Sequence, residues 1–91
     1  MMTYHIQRTF HPIGQGAFYS ERHDDFNIVY DCGARPLSPY AKSLVQSVFT
    51  ASDKIDVLFI SHFDYDHVSA ISLLMRKVKK IKKVVLPLLH D

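Results

Sequence analysis

After a run of apolar residues, the segment Ser61-His62-Phe63-Asp64-Tyr65-Asp66-His67 places two imidazoles and two carboxylates within six residues, at His62, Asp64, Asp66 and His67. Groups of this kind crowded at the end of a buried strand repel one another or demand heavy solvation unless a cation compensates them. Mixed nitrogen and oxygen donors suit zinc first, with manganese or iron(II) as alternatives, better than magnesium or calcium, which prefer oxygen shells. In an extended turn His62 and Asp64 point the same way, because side chains alternate. Asp66 continues that row and His67 opens the following helix, so the loop offers donors to two neighbouring metal positions. Two metals about 3.5–4 Å apart can activate a water and stabilise the leaving oxygen of a displacement. The competing reading is a polar strand-to-helix loop in which Asp64 or Asp66 caps the helix that begins near His67.

The elements that must hold this loop follow from the pattern around it. Thr3 to Phe10 alternates as a half-buried strand, interrupted on its apolar face by Arg8. Ile13-Gly14-Gln15-Gly16 signals a turn before a short strand, Ala17-Phe18-Tyr19, and Ser20 to Asp25 reads as a polar hairpin loop. Phe26 to Asp31 is a second clear strand, with Phe26, Ile28 and Tyr30 on one side. Ser38 stands where an N-cap belongs and Pro39 at the first helical position, followed by a stripe of Tyr40, Leu44, Val45, Val48 and Phe49. Ile55 to Ile60 predicts a strand covered on both faces. Val68, Ile71, Leu74, Met75 and Val78 predict a further helix, and Lys83 to Leu86 a last buried strand closed by Pro87. The order β-β-β-α-β-α-β implies α/β layering with right-handed crossovers after the hairpin region. Folds of this type place their chemistry at the ends of parallel strands.

A chain of 91 residues holds one domain at most, spanning 1–91. With 47% hydrophobic and 22% charged residues it has the composition of a globular protein, which excludes global disorder. No apolar run reaches the ~18 residues needed to span a membrane, and the start is not a basic stretch followed by an apolar core. The single cysteine, Cys32, has no internal partner and reads as a small buried residue, so the expectation is a reducing, cytoplasmic setting without membrane attachment. The formal charge is only +2, but Arg76, Lys77, Lys79, Lys80, Lys82 and Lys83 put six cations into eight residues with no carboxylate among them. Such a run is either a solvated face at a helix C-terminus or a grip for phosphates, with Arg76, Lys77, Lys79 and Lys80 as the candidate contacts. His5, His11 and His23 lack partner spacing and read as surface or strand residues.

The pattern His62-x-Asp64-x-Asp66-His67 resembles the signature loop of the metallo-β-lactamase superfamily. The commonest family form has histidine where this chain has Asp64, and the aspartate variant, preceded by Ser61, resembles the ComEC-like competence-protein branch. Ile13-Gly14-Gln15-Gly16-Ala17 and Tyr30-Asp31-Cys32-Gly33 resemble two further motifs of that branch, so the likeness runs from Thr3 to Leu86. The resemblance implies the N-terminal half of an αββα sandwich and a hydrolase with two divalent ions, zinc foremost. It assigns His62 and Asp64 to the first metal and Asp66 and His67 to the second. Asp66 would also orient the attacking water, and Asp31 would support the loop. Two departures stand out. Val68-Ser69-Ala70 replaces the glycines that usually follow the final histidine, and of the family's later ligands only His90 and Asp91, at the C-terminal end, offer a counterpart. The expectation is therefore a domain completed by a C-terminal half or a partner subunit. The expected substrate is a phosphodiester, in a nucleic acid or nucleotide. The alternative is a non-catalytic fragment or subunit that acts through protein association.

Overall fold

The computed structural model describes residues 5–24 and 26–87. Three strands open the chain: β1 (Ile6–Phe10), β2 (Gly16–His23) and β3 (Asn27–Ala34). They pair antiparallel in sequence order, with a bulge between Phe18 and Tyr19. The chain then leaves through helix α1 (Pro39–Val48) and returns as β4 (Lys54–Ile55) and β5 (Val57–Phe59). A one-turn helix α2 (Tyr65–Val68), helix α3 (Ile71–Lys77) and the short strands β6 (Lys80–Ile81) and β7 (Val84–Val85) follow. The main sheet has the order β1-β2-β3-β5-β7, and its last three strands run parallel. Strands β4 and β6 form a separate parallel pair. The molecule is thus a mixed α/β fold whose two crossovers both pass through helices. No helix of the described residues is long and apolar enough to cross a membrane.

Helix α1 starts as its sequence predicts: Ser38 Oγ accepts from the Ala41 amide at 3.1 Å, and Pro39 occupies the first turn. One face of the main sheet packs on the helices. Val29 and Leu58 from the centre of the sheet meet Ala41 and Val45 of α1, Leu74 of α3, and Phe49 and Ile55, all buried. Side chains alternate across a strand, so the neighbours of Val29 and Leu58 point away from the helices. There Phe10, Tyr19, Tyr30 and Phe59 form an unbroken aromatic row across four strands, with ring centroids 4.6, 5.4 and 4.8 Å apart. Phe10 remains 84% exposed. One sheet face is therefore covered and the other is open.

Several sequence expectations need correction. Ser20 to His23 is strand, not loop, because β2 pairs with β1 from Tyr19 to His23 and with β3 from Gly16 to Arg22. Its polar residues partner one another along one face of the strand: Glu21 accepts from Tyr19 Oη at 2.8 Å and meets His23 Nε2 at 3.0 Å. Ser20 is buried against His11 Nε2 at 2.7 Å. The predicted strand Ile55 to Ile60 is broken at Asp56, whose carboxylate accepts from the Asn27 amide at 2.8 Å while its own amide donates to Asn27 O. Tyr40 and Met75 face outward rather than inward, and Ala41 and Leu74 take the buried positions beside them. Thr3, Tyr4, His90 and Asp91 lie outside the described residues.

Candidate metal centre

The acidic and imidazole loop leaves the C-terminal end of β5, between its parallel neighbours. It is held from below by a single carboxylate. Asp31, at the equivalent level of β3, is 6% exposed and has a left-handed backbone, φ 59°. That conformation is uncommon outside glycine, and aspartate is among the few residues that tolerate it. It coincides with the point where the carboxylate collects three donors from the loop. The Ser61 amide donates to Oδ1 at 2.8 Å, the Ser61 hydroxyl to Oδ2 at 2.5 Å and His67 Nδ1 to Oδ2 at 3.0 Å. Asp31, expected to support the loop, thus contacts it at Ser61 and His67. The hydrogen bond to Asp31 raises the His67 pKa above the ordinary imidazole value, against a smaller opposing effect of burial, and the charges of Asp31, Asp66 and Asp64 add to the rise. Burial and the neighbouring Asp31 charge push the Cys32 thiol up to about 12.

The loop also rests on glycines. A Cβ at Gly33 would stand 2.7–2.8 Å from backbone atoms of His67, Val68 and Ser69, and one at Gly16 would overlap the Gly33 carbonyl and approach the Asp66 carbonyl at 2.9 Å. The first turn after the loop therefore lies directly on the backbone of β3. Ser69 Oγ, beyond that turn, accepts from the Ala34 amide and donates to the Ala34 carbonyl, each at 2.9 Å, and the Ala70 amide donates to Cys32 O at 2.9 Å. What this close packing requires is the absence of a side chain at Gly33 and Gly16, while the residues that stand where glycines were expected, Ser69 and Ala70, bond the backbone of β3. The motif residues Gly16 and Gly33, weak signals by themselves, act together as the floor under the loop.

The structure brings some of the candidate ligands together. The rings of His62 and His67 lie 5.2 Å apart, and Ser61 Oγ stands 3.0 Å from His62 Nδ1 and 3.5 Å from His67 Nδ1. Asp64 sits at the N-cap position of α2 but makes no side-chain capping bond, so the capping reading of this carboxylate is not realised. Asp66 falls in the first turn of α2, where the helix start favours a negative charge. Among the described residues no three acidic, histidine or cysteine side chains converge as a metal-binding group. The donor types and the paired imidazoles fit a divalent cation, whereas the two carboxylates stand near the pair without closing on it.

The basic run lies elsewhere. Arg76 and Lys77 end α3, Lys80 pairs with Lys54 across β4 and β6, and Lys83 precedes β7, so the cations gather at the N-terminal ends of the parallel strands. The loop is at the opposite ends of those strands. Beside the loop, on the open sheet face, a cleft of about 560 Å³ is lined by Phe10, His11, Phe18, Tyr19, Tyr30 and Asp31. The bonds of Glu21 to Tyr19 and His23 lie on β2, whose second half the sequence pattern reads as loop. The only sequence hint to that grouping is the alternation Tyr19-Glu21-His23 itself.

A search among curated proteins finds no match to the chain. A family model described as the metallo-beta-lactamase superfamily matches residues 14–90, which takes in the glycine turn, Asp31 and the whole donor loop. The chain therefore belongs to the metallo-beta-lactamase superfamily, whose members are in general metal-dependent hydrolases.

Proposed function

We propose that the chain carries the first half of a dinuclear hydrolase site acting on a phosphodiester, with zinc as the resident metal. His62 and Asp64 would hold one ion and Asp66 and His67 the other. Bound ions of this kind lower the pKa of a coordinated water and neutralise charge on a phosphoryl oxygen. Asp66 would orient the attacking water, and Asp31 fixes the direction of His67 by accepting its Nδ1 proton. The observation that carries this reading is the pairing of two imidazoles 5.2 Å apart, one bonded to the buried carboxylate of Asp31, with Asp64 making no capping bond of its own. The single buried thiol keeps a reducing, cytoplasmic setting within the same proposal.

Calorimetric titration of the purified chain with zinc tests it, together with hydrolysis of bis(p-nitrophenyl) phosphate. Binding that is lost in Asp66→Ala, with hydrolysis abolished by chelator, is the expected result. Hydrolysis that persists in chelator would remove the metal mechanism.

A second reading is favoured by the open aromatic face and by the two carboxylates that stand short of the imidazole pair among the described residues. In it the chain is a non-catalytic portion that binds metal only when a C-terminal half or partner subunit covers the sheet. A chain that binds zinc poorly alone, but stoichiometrically when co-expressed with a covering polypeptide, would select that reading.

A further inference from the structure

We infer that Ser61 is a positioning residue that sets both loop histidines in one tautomer, with the proton on Nδ1 and the lone pair on Nε2. The inference follows from counting protons. A carboxylate accepts and cannot donate, so in the 3.0 Å contact between Asp31 Oδ2 and His67 Nδ1 the imidazole supplies the proton. The Ser61 hydroxyl has one proton and two short contacts, to Asp31 Oδ2 at 2.5 Å and to His62 Nδ1 at 3.0 Å. The shorter distance is that of a hydroxyl donating to a charged oxygen, and a charge-assisted bond is about twice as strong as a neutral one. The proton therefore lies towards Asp31. Ser61 then has only lone pairs to offer His62, and the ring must donate from Nδ1. One aspartate thus orders His67 directly and His62 through a serine.

The arrangement has a structural reason to hold. The Ser61 amide also donates to Asp31, at Oδ1, so the serine meets the carboxylate at two points, one through its backbone and one through its hydroxyl. Both Nε2 atoms are left with available lone pairs. Their meaning as metal ligands rests on the hydrolase reading above, but the tautomers themselves do not depend on it.

Two-bond proton–nitrogen NMR spectra of the chelator-treated chain, taken well above the imidazole titration range, separate the two tautomers. The rings are assigned with His62→Gln and His67→Gln. The expected result is Nδ1–H in both rings. In Ser61→Ala the His62 ring is expected to become a tautomer mixture while His67 stays Nδ1–H, and Ser61→Thr, which keeps the hydroxyl, restores His62. Zinc affinity is expected to fall by about 10–100-fold in Ser61→Ala and to recover in Ser61→Thr. A wild-type spectrum with Nε2–H predominant in either ring overturns the inference, and it does so even if Ser61→Ala fails to fold. An unchanged His62 ring in folded Ser61→Ala overturns the part assigned to serine. A wild-type chain that shows both Nδ1–H rings but binds no zinc upholds the tautomers and removes the hydrolase reading instead.

Discussion

Two side chains, the buried Cys32 and the half-buried His11, make the local chemistry testable residue by residue. Cys32 follows Asp31 and is fully enclosed, and burial with the adjacent negative charge holds its thiol at about 12. A thiolate is the reactive form, so the native chain is expected to resist iodoacetamide at pH 8 and to react only on unfolding, which intact mass against denaturant concentration would show. His11 stacks on Phe18 with centroids 4.4 Å apart and meets Ser20 at 2.7 Å. Burial, and then the charge of Arg22, lowers its pKa below the ordinary imidazole value. Its charged form is disfavoured in the fold, so stability from this site is complete above about pH 6.5. It is lost as pH falls from there through the lowered folded value, because the unfolded chain takes the proton first. Melting temperature measured against pH is expected to fall less steeply below neutrality in His11→Gln than in the parent chain.

At the scale of elements, the contact between β3 and α2 decides whether the loop is presented at all. Gly33→Ala would drive a methyl into the backbone of His67–Ser69, where nothing flexible can yield. Overpacking of this sort costs about 1–3 kcal/mol. Gly14→Ala has open space around it but a backbone φ of 98°, so its cost is conformational, about 1–2 kcal/mol. Denaturant melts are expected to show both destabilisations, while zinc affinity falls only in Gly33→Ala. Equal effects on zinc binding would mean that Gly33 is not a floor for the loop. This contact also marks what sequence could and could not disclose. Alternation, the Ser38-Pro39 start and the donor spacing are local signals, and they located the strands, α1 and the loop. The family match extends over the same features. The break at Asp56, the strand character of Ser20–His23 and the use of Gly16 and Gly33 depend on residues distant in sequence, such as Asn27 for Asp56 and His67 for Gly33. No pattern within a short window encodes those partners.

On the scale of the whole molecule, the donor loop and the cations occupy opposite ends of the parallel strands. Of the six cations in the run only Lys82 has an ion pair among the described residues, with Asp56 at 3.3 Å. Lys54 and Lys80 stand directly across from each other on paired strands, an arrangement that like charges disfavour. Under the phosphodiester reading proposed above, a phosphate held there would belong to a remote part of a long polyanion, not to the bond at the donor loop. Lys79→Glu with Lys80→Glu is therefore expected to weaken binding of a single-stranded oligonucleotide. It should also flatten the salt dependence, by about 0.7 in the log–log slope for each phosphate the chain no longer neutralises. Filter binding at several salt concentrations would measure both, and an unchanged slope would reduce the run to a solvated surface.

The clamp beneath the loop has a consequence for change over time. Between the donors stand Phe63 and Tyr65, both about half exposed, while anchorage comes from Asp31, Ser69 and two glycines beneath the loop and from Ser61 at its start. Anchoring and outward display are thereby assigned to different residues. Replacing the two aromatic side chains alters what the loop shows to an approaching molecule without dismantling its footing, so these two positions can diversify while the scaffold stays constant.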